Sequence, residues 1–295
     1  MRFAMLDKVD LSNPAWETDL LGIVAGVGPI HGVERSFKLL DRTLVTDRLL
    51  ISVSGAMAPT EESTFEQFAE SLGLPEQSRE SVRGEIASAD WMHLGFERHL
   101  GTSVFKLYAE RQAAFTEAIE QPCRVTKTPV LVHQAFSWEL AAPGPVRRSR
   151  YLAWPDTSPS RVSDAVSRRF FPIGSATGAA LLRIYKRARR AAGHDLFVLE
   201  VEEPGTPRRS IDVNLYPSGL QLDEIADLVG PLFESVGVAS PVSASTATSA
   251  STSAQVGHVA GGISRNGHEF LTIYYRVPRS LAGLFDLGRP HLGAN

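Results

Sequence analysis

Apolar and polar residues alternate with a period of two in five pairs of segments, each pair split by turn residues. VERSFKLL (33–40) and TLVTDRLLISVSG (43–55) flank Asp41-Arg42. WMHLGFER (91–98) and TSVFKLYAER (102–111) flank His99-Leu100-Gly101. VLVHQAFSWEL (130–140) and VRRSRYLAWP (146–155) flank AAPGP, and HDLFVLEVE (194–202) and RRSIDVNLYP (208–217) flank EPGTP. The fifth pair lies in GHVAGGISRNGHEFLTIYYRV (257–277), where Asn266-Gly267 is a strong hairpin signal. Each pair predicts a β-hairpin.

Helical periodicity fills the intervals. It marks 64–73, 112–121, 160–171, 179–192, 221–237 and 279–287. In the fifth of these Leu222, Ile225, Leu228, Val229, Leu232 and Phe233 share a face, and Gly237 closes the helix. Hairpin followed by helix, five times over, predicts an α+β fold: a ten-stranded antiparallel barrel of five hairpins ringed by helices. Closure leaves no open edge, and a barrel of that width encloses a chamber. The expected domain is single, 1–295, with SPVSASTATSASTSAQ (240–255) as a flexible Ser/Thr-rich surface loop.

Strand parity assigns residues to the chamber. One parity collects Arg48, Leu50 and Ser52; Lys106 and Tyr108; Arg148, Arg150 and Trp154; Asp212, Asn214 and Tyr216; and Thr272, Tyr274 and Arg276. The other is mostly apolar (Leu49, Ile51, Val53, Phe105, Leu107, Val213, Leu215, Ile273) and suits the helix-facing side. A lumen of cations and phenols fits a substrate that is an anion at one end and becomes a cation at the other, such as an allylic diphosphate. Lys, Arg and Tyr on the solvated face of an open antiparallel sheet would give the same pattern, so parity alone leaves both readings open.

The 295 residues are 43% hydrophobic and 21% charged, with a formal net charge of −3, so any anion site is local and neither nucleic acid nor an anionic membrane is an expected partner. The single Cys123 excludes an internal disulfide framework. No signal peptide is expected, LLGIVAGVGPI (20–30) is too short to span a bilayer, and a cytoplasmic protein is the simple expectation. The eight histidines show no metal-ligand spacing, so no metal residues are assigned. RIYKRARR (183–190) reads as a solvated basic helix face. SVSGA (52–56) lacks the pattern of a nucleophile elbow, and AGVGPIHG (25–32) is not a dinucleotide-binding loop.

The hairpin-and-helix repeat resembles the aromatic prenyltransferases of the ABBA, or PT-barrel, fold. The closer resemblance is to the cyanobactin-type peptide prenyltransferases, carried by GVERSFKLLDRTLVTDRLLISV (32–53), GFERHLGTSVFKLYAE (95–110), GGISRNGHEFLTIYYR (261–276) and VNLYP (213–217). The resemblance implies transfer of a dimethylallyl-type group from its diphosphate to an aromatic or other nucleophilic side chain of a peptide or amino-acid-like acceptor. It places Glu34 at the family's active-site glutamate. It implies diphosphate binding by Arg48, Lys106, Arg150 and Arg276, and cation shielding by Tyr108, Tyr216 and Tyr274. Dimethylallyl diphosphate would be the co-substrate. Magnesium could assist its departure, but no DDxxD-type cluster provides for it. Monomer or weak homodimer is expected. A small aromatic metabolite as acceptor, or a non-catalytic barrel binding an anionic or hydrophobic ligand, remain alternatives.

Overall fold

The computed structural model describes residues 16–113, 116, 129–140, 144–238 and 254–277. The expected helices at 112–121 and 279–287, the Ser/Thr-rich loop, Cys123 and the N-terminal segment lie largely or wholly outside these.

Eleven strand segments form one antiparallel sheet. In chain order they are β1 (Ile30–Leu40), β2 (Thr43–Val45), β3 (Arg48–Ser54), β4 (Trp91–His99), β5 (Thr102–Glu110), β6 (Val130–Glu139), β7 (Arg147–Ala153), β8 (Val198–Glu202), β9 (Arg209–Asn214), β10 (Val256–Ile263) and β11 (Glu269–Arg276). The segments β2 and β3 are one stave, interrupted at Thr46-Asp47, where the Arg48 amide turns back onto Thr46 O at 2.7 Å. That gives the ten staves that the sequence predicts. Pairing of β11 with β1, from Glu34↔Arg276 to Leu40↔Phe270, closes the barrel. Closure removes both sheet edges.

Turn chemistry agrees with the hairpins. Leu100 and Gly101 have φ of 47° and 77°, a two-residue turn in which both residues are left-handed. The Asn266-Gly267 hairpin uses a longer turn: the Gly267 amide bonds Ser264 O at 3.0 Å, and only Gly267, at φ 82°, is left-handed.

Helices cover the outer face. These are α1 (Trp16–Val27), α2 (Glu62–Ser71), α3 (Glu76–Ile86), α4 (Pro159–Ala165) followed by a π-helical turn at Val166–Phe170, α5 (Ala176–Ala192) and α6 (Ala226–Ser235). The α5 helix starts at Ser175, whose Oγ accepts the Gly178 amide at 2.9 Å, and stops at Gly193, φ 75°. Its buried stripe is Ala180, Leu181, Ile184, Tyr185 and Ala188. On its outer face Arg187 pairs with Asp227 through two bonds at 2.6 and 2.8 Å, as expected of a solvated basic face. Helices α1 and α3 were not among the expected elements; α3 buries only Val82 and Ile86, too little to stand out in sequence.

The core lies between sheet and helices rather than inside the barrel. Trp16, Leu20, Phe65, Phe68, Phe105 and Trp138 pack on one side. Phe170, Leu181, Ile184, Val213, Phe233 and Ile273 pack on the other. The apolar parity of the strands is therefore spent on the helices, and the polar parity is left facing the lumen. Among the described residues no helix is long and apolar enough to cross a membrane.

Candidate active site

Described residues line two cavities in the lumen. The first, about 200 Å3, is lined by Lys38, Arg48, Glu97, Lys106, Arg208 and Asp212, with Tyr108, Tyr151, Thr272 and Tyr274. The second, about 480 Å3, is lined by Glu34, Trp91, His93, Glu110, Tyr216, His258 and Arg276, among others.

Register builds the first cavity. Arg48 on β3 stands opposite Glu97 on β4, and Lys38 and Lys106 project from the flanking β1 and β5. Glu97 receives all three cations: Lys106 Nζ at 3.1 Å, Lys38 Nζ at 3.3 Å, and the Arg48 guanidinium. Arg48 Nε also donates to Ser36 Oγ at 2.9 Å and its Nη2 to the Tyr274 hydroxyl at 3.3 Å. One carboxylate cannot satisfy three buried cations. Burial would raise the Glu97 pKa, yet Arg48, Lys106 and Lys38 together hold it well below the usual carboxylate range. Burial, which Glu97 only partly offsets, pushes Lys106 down to about 7 and lowers Lys38 as well. The cluster thus has a deficit of negative charge. Burial keeps the phenols of Tyr108, Tyr151 and Tyr274 neutral. Tyr108 and Tyr151 meet edge to face with centroids 5.7 Å apart. Gly95 leaves room for this layer: a Cβ there would lie 3.2 Å from Tyr108 Cε2.

An aromatic chain leads to the second cavity, with Tyr274 6.2 Å from His258 and His258 5.6 Å from Tyr216, both edge to face. His258 Nδ1 lies 3.0 Å from Asp212 Oδ1, and despite burial Asp212 raises its pKa to about 9. Glu34 is 8% exposed. Its Oε1 accepts the Tyr216 hydroxyl, while Oε2 is buried without a partner. Gly257 makes that pair possible, because a Cβ there would stand 2.7 Å from Glu34 Oε1.

The structure brings Arg48, Lys106, Tyr108 and Tyr274 together as the parity reading expects, and sets Glu34 and Tyr216 side by side in the second cavity. Three assignments change, the first being Tyr216, which bonds Glu34 in the second cavity and is not part of the phenol layer beside the cations. Arg150 points outward and pairs with Glu202 at 3.0 Å, with 46% of its side chain exposed. The lumen-facing residues of β7 are Ser149 and Tyr151, paired with Ala135 and His133 of β6. The outer wall here is partly solvated, so its polar residues mimic a lumen face; Arg148 likewise lies outside, over the Phe136 ring. Arg276 does line the lumen, but opposite Glu34 in the second cavity and away from the cation cluster. Glu97, Arg208 and Tyr151 also line the first cavity and were not among the expected site residues. Glu97 shares parity with His93 and Gly95 on β4, so alternation along the first strand of that hairpin is the signal that points to it.

No family model and no curated protein matches the chain. Solved structures do. The 5-dimethylallyltryptophan synthase from Streptomyces coelicolor superposes with TM-score 0.55 over 90% of this chain and 92% of its own, at 12% identity. PriB, in a binary complex with product diphosphate, gives 0.55 over 90% and 83%, at 16% identity. The 6-dimethylallyltryptophan synthase from Micromonospora olivasterospora, in complex with DMASPP and Trp, gives 0.50 over 88% and 84%, at 19% identity. By name two of these act on tryptophan, whereas the sequence resemblance leans toward peptide enzymes. All three share one barrel with this chain, over nearly its whole length. The chain has the ABBA, or PT-barrel, fold of the aromatic prenyltransferases.

Proposed function

We propose that this protein transfers a dimethylallyl-type group from its diphosphate to an electron-rich aromatic acceptor, taken as an amino acid or as a side chain of a peptide. The observation that carries this reading is the juxtaposition of a buried cation cluster, short of negative charge, with a layer of neutral tyrosines. A diphosphate supplies the missing charge among Lys38, Arg48, Lys106 and Arg208. As the allylic C–O bond breaks, the electron pair leaves with the diphosphate. The allyl cation then faces Tyr108, Tyr151 and Tyr274, whose rings stabilise it and exclude water. The donors are in place before charge develops, so little reorganisation accompanies ionisation.

The acceptor occupies the second cavity. Its aromatic carbon attacks the allyl cation to form the new C–C bond, and the resulting arenium ion loses a proton. Glu34 Oε2, buried and without a partner, is positioned to take that proton or to orient an acceptor N–H, while Tyr216 fixes the other oxygen. Arg276, beside Glu34 on the neighbouring strand, is suited to an acceptor carboxylate.

Glu34→Gln tests the division of labour. Turnover should fall by about 10²- to 10⁴-fold, the usual size of a lost general base. Binding of a non-ionising thiolodiphosphate analogue, followed by calorimetry, should stay within a few-fold of the wild type. Loss of donor binding in that variant would break the assignment of the two cavities. Comparing free tryptophan and tyrosine with the same residues inside short peptides, by kcat/KM, decides the acceptor form.

A further inference from the structure

Three side chains on neighbouring staves meet in the lumen wall beside Tyr108 and Tyr151. His93 projects from β4, Glu110 from β5 and His133 from β6. His93 Nε2 lies 2.7 Å and His133 Nδ1 3.9 Å from the same oxygen, Glu110 Oε2. The three ligating atoms all fall within 4.8 Å of one another, and each side chain is less than a fifth exposed. The far nitrogen of His93, Nδ1, is held by Ser52 Oγ at 2.8 Å.

We infer that His93, Glu110 and His133 form a binding site for a divalent transition-metal ion of the zinc class. Two imidazoles and one carboxylate suit zinc or cobalt(II) better than magnesium or calcium. Tetrahedral zinc, with bonds near 2.0–2.2 Å, places its ligand atoms roughly 3.3 Å apart, so shifts of under about 1 Å bring all three into its shell. Hydrogen bonding within the trio leaves one group unsatisfied. His133 Nδ1 is buried and has no hydrogen-bond partner, since 3.9 Å to Glu110 is too long. A metal ion satisfies it along with the other two. The bond from Ser52 is the outer partner that a ligating histidine ordinarily has, fixing ring orientation and tautomer. Backbone geometry contributes as well: the β6–β7 register shifts between Leu131 and His133, and such a bulge re-aims the side chain that follows it. His93 and Glu110 both line the second cavity, so the fourth coordination position opens on that cavity and takes water or a heteroatom of a small ligand. Glu97 and its three cations form a separate cluster farther along the same strands, four residues beyond His93 on β4 and, at Lys106, four before Glu110 on β5.

The experiment is a titration of chelator-stripped full-length protein with cobalt(II) and zinc. One equivalent of cobalt should give the visible absorption of a tetrahedral centre, and zinc should displace it. His93→Ala, Glu110→Gln and His133→Ala should each weaken zinc binding at least tenfold, and Ser52→Ala should weaken it by about tenfold. His268→Ala, in the exposed β10–β11 turn, should leave it unchanged. Should a ligand variant fail to fold, cobalt-induced paramagnetic shifts of the His93 and His133 ring signals in the wild-type chain test the same claim. Absence of a tetrahedral band, zinc affinity unchanged in a folded His93→Ala/His133→Ala variant, or paramagnetic shifts at other histidines alone would overturn the proposal.

Discussion

Lys106 illustrates how a single side chain couples the cluster to pH. Burial pushes it down to about 7, so in the free protein it is protonated below that value and loses charge above it. A bound diphosphate favours the protonated form and raises the pKa, so binding takes up a proton near neutrality. Between pH 7 and 9 the diphosphate itself is already largely ionised, the last pKa of a phosphate group lying at about 6. Affinity for a thiolodiphosphate analogue should therefore fall as pH rises across that window. Lys106→Arg, which keeps its charge, should flatten the profile; calorimetry in buffers of different ionisation enthalpy measures the proton uptake directly. Gly257 carries a second prediction. The Cβ of Gly257→Ala would stand 2.7 Å from Glu34 Oε1 and 2.8 Å from the Tyr216 hydroxyl, so that pair must shift. A displacement of order 1 Å at a reacting centre costs about 10²-fold in rate. Turnover should drop by that order while circular dichroism and donor affinity stay near wild type.

At the scale of elements, α5 and the turn before it seat tightly on β10. A Cβ on Gly261 would meet Leu181 Cδ1 and Phe171 Cζ at 2.9 Å and Phe270 O at 3.0 Å, so this glycine sets how deeply α5 and the turn before it seat on the barrel. Gly261→Ala should destabilise the fold by about 1–3 kcal/mol, the usual cost of overpacking, read as a lowered midpoint in thermal or denaturant unfolding. The hairpins were legible in sequence because period-2 alternation and turn residues are local signals. Helices α2 and α5 were legible for the same reason, with apolar residues at helical spacing. Parity then placed Arg48, Lys106, Tyr108 and Tyr274 in the lumen. On β7 parity points the wrong way, because Arg148 and Arg150 stand on a partly solvated outer wall, where a cation is as well placed as in the lumen. The aromatic Tyr151, one position away, was the inward residue.

For the molecule as a whole, the long-range pairing of β11 with β1 is what makes a chamber out of a sheet. It joins Glu34 to the Arg276 rung and Ser36 to the Tyr274 rung, residues from opposite ends of the chain. The five hairpins suggest closure, but no local pattern specifies which edges meet or in what register. The meeting of His93 with His133 across β5 likewise depends on a pairing between separate hairpins, β5 with β6, whose register no local pattern sets, so spacing along the chain does not show it. The same closure explains why a chain of net charge −3 can hold several cations around one small cavity: the positive potential is confined to one end of the lumen, with low-dielectric walls. The most direct measurement incubates the protein with dimethylallyl diphosphate and tryptophan- or tyrosine-containing amino acids and peptides, followed by mass spectrometry. Prenyl transfer is expected to add one C5H8 unit to an acceptor as diphosphate is released. No such product from any acceptor, together with no heat of diphosphate binding by calorimetry, would contradict it.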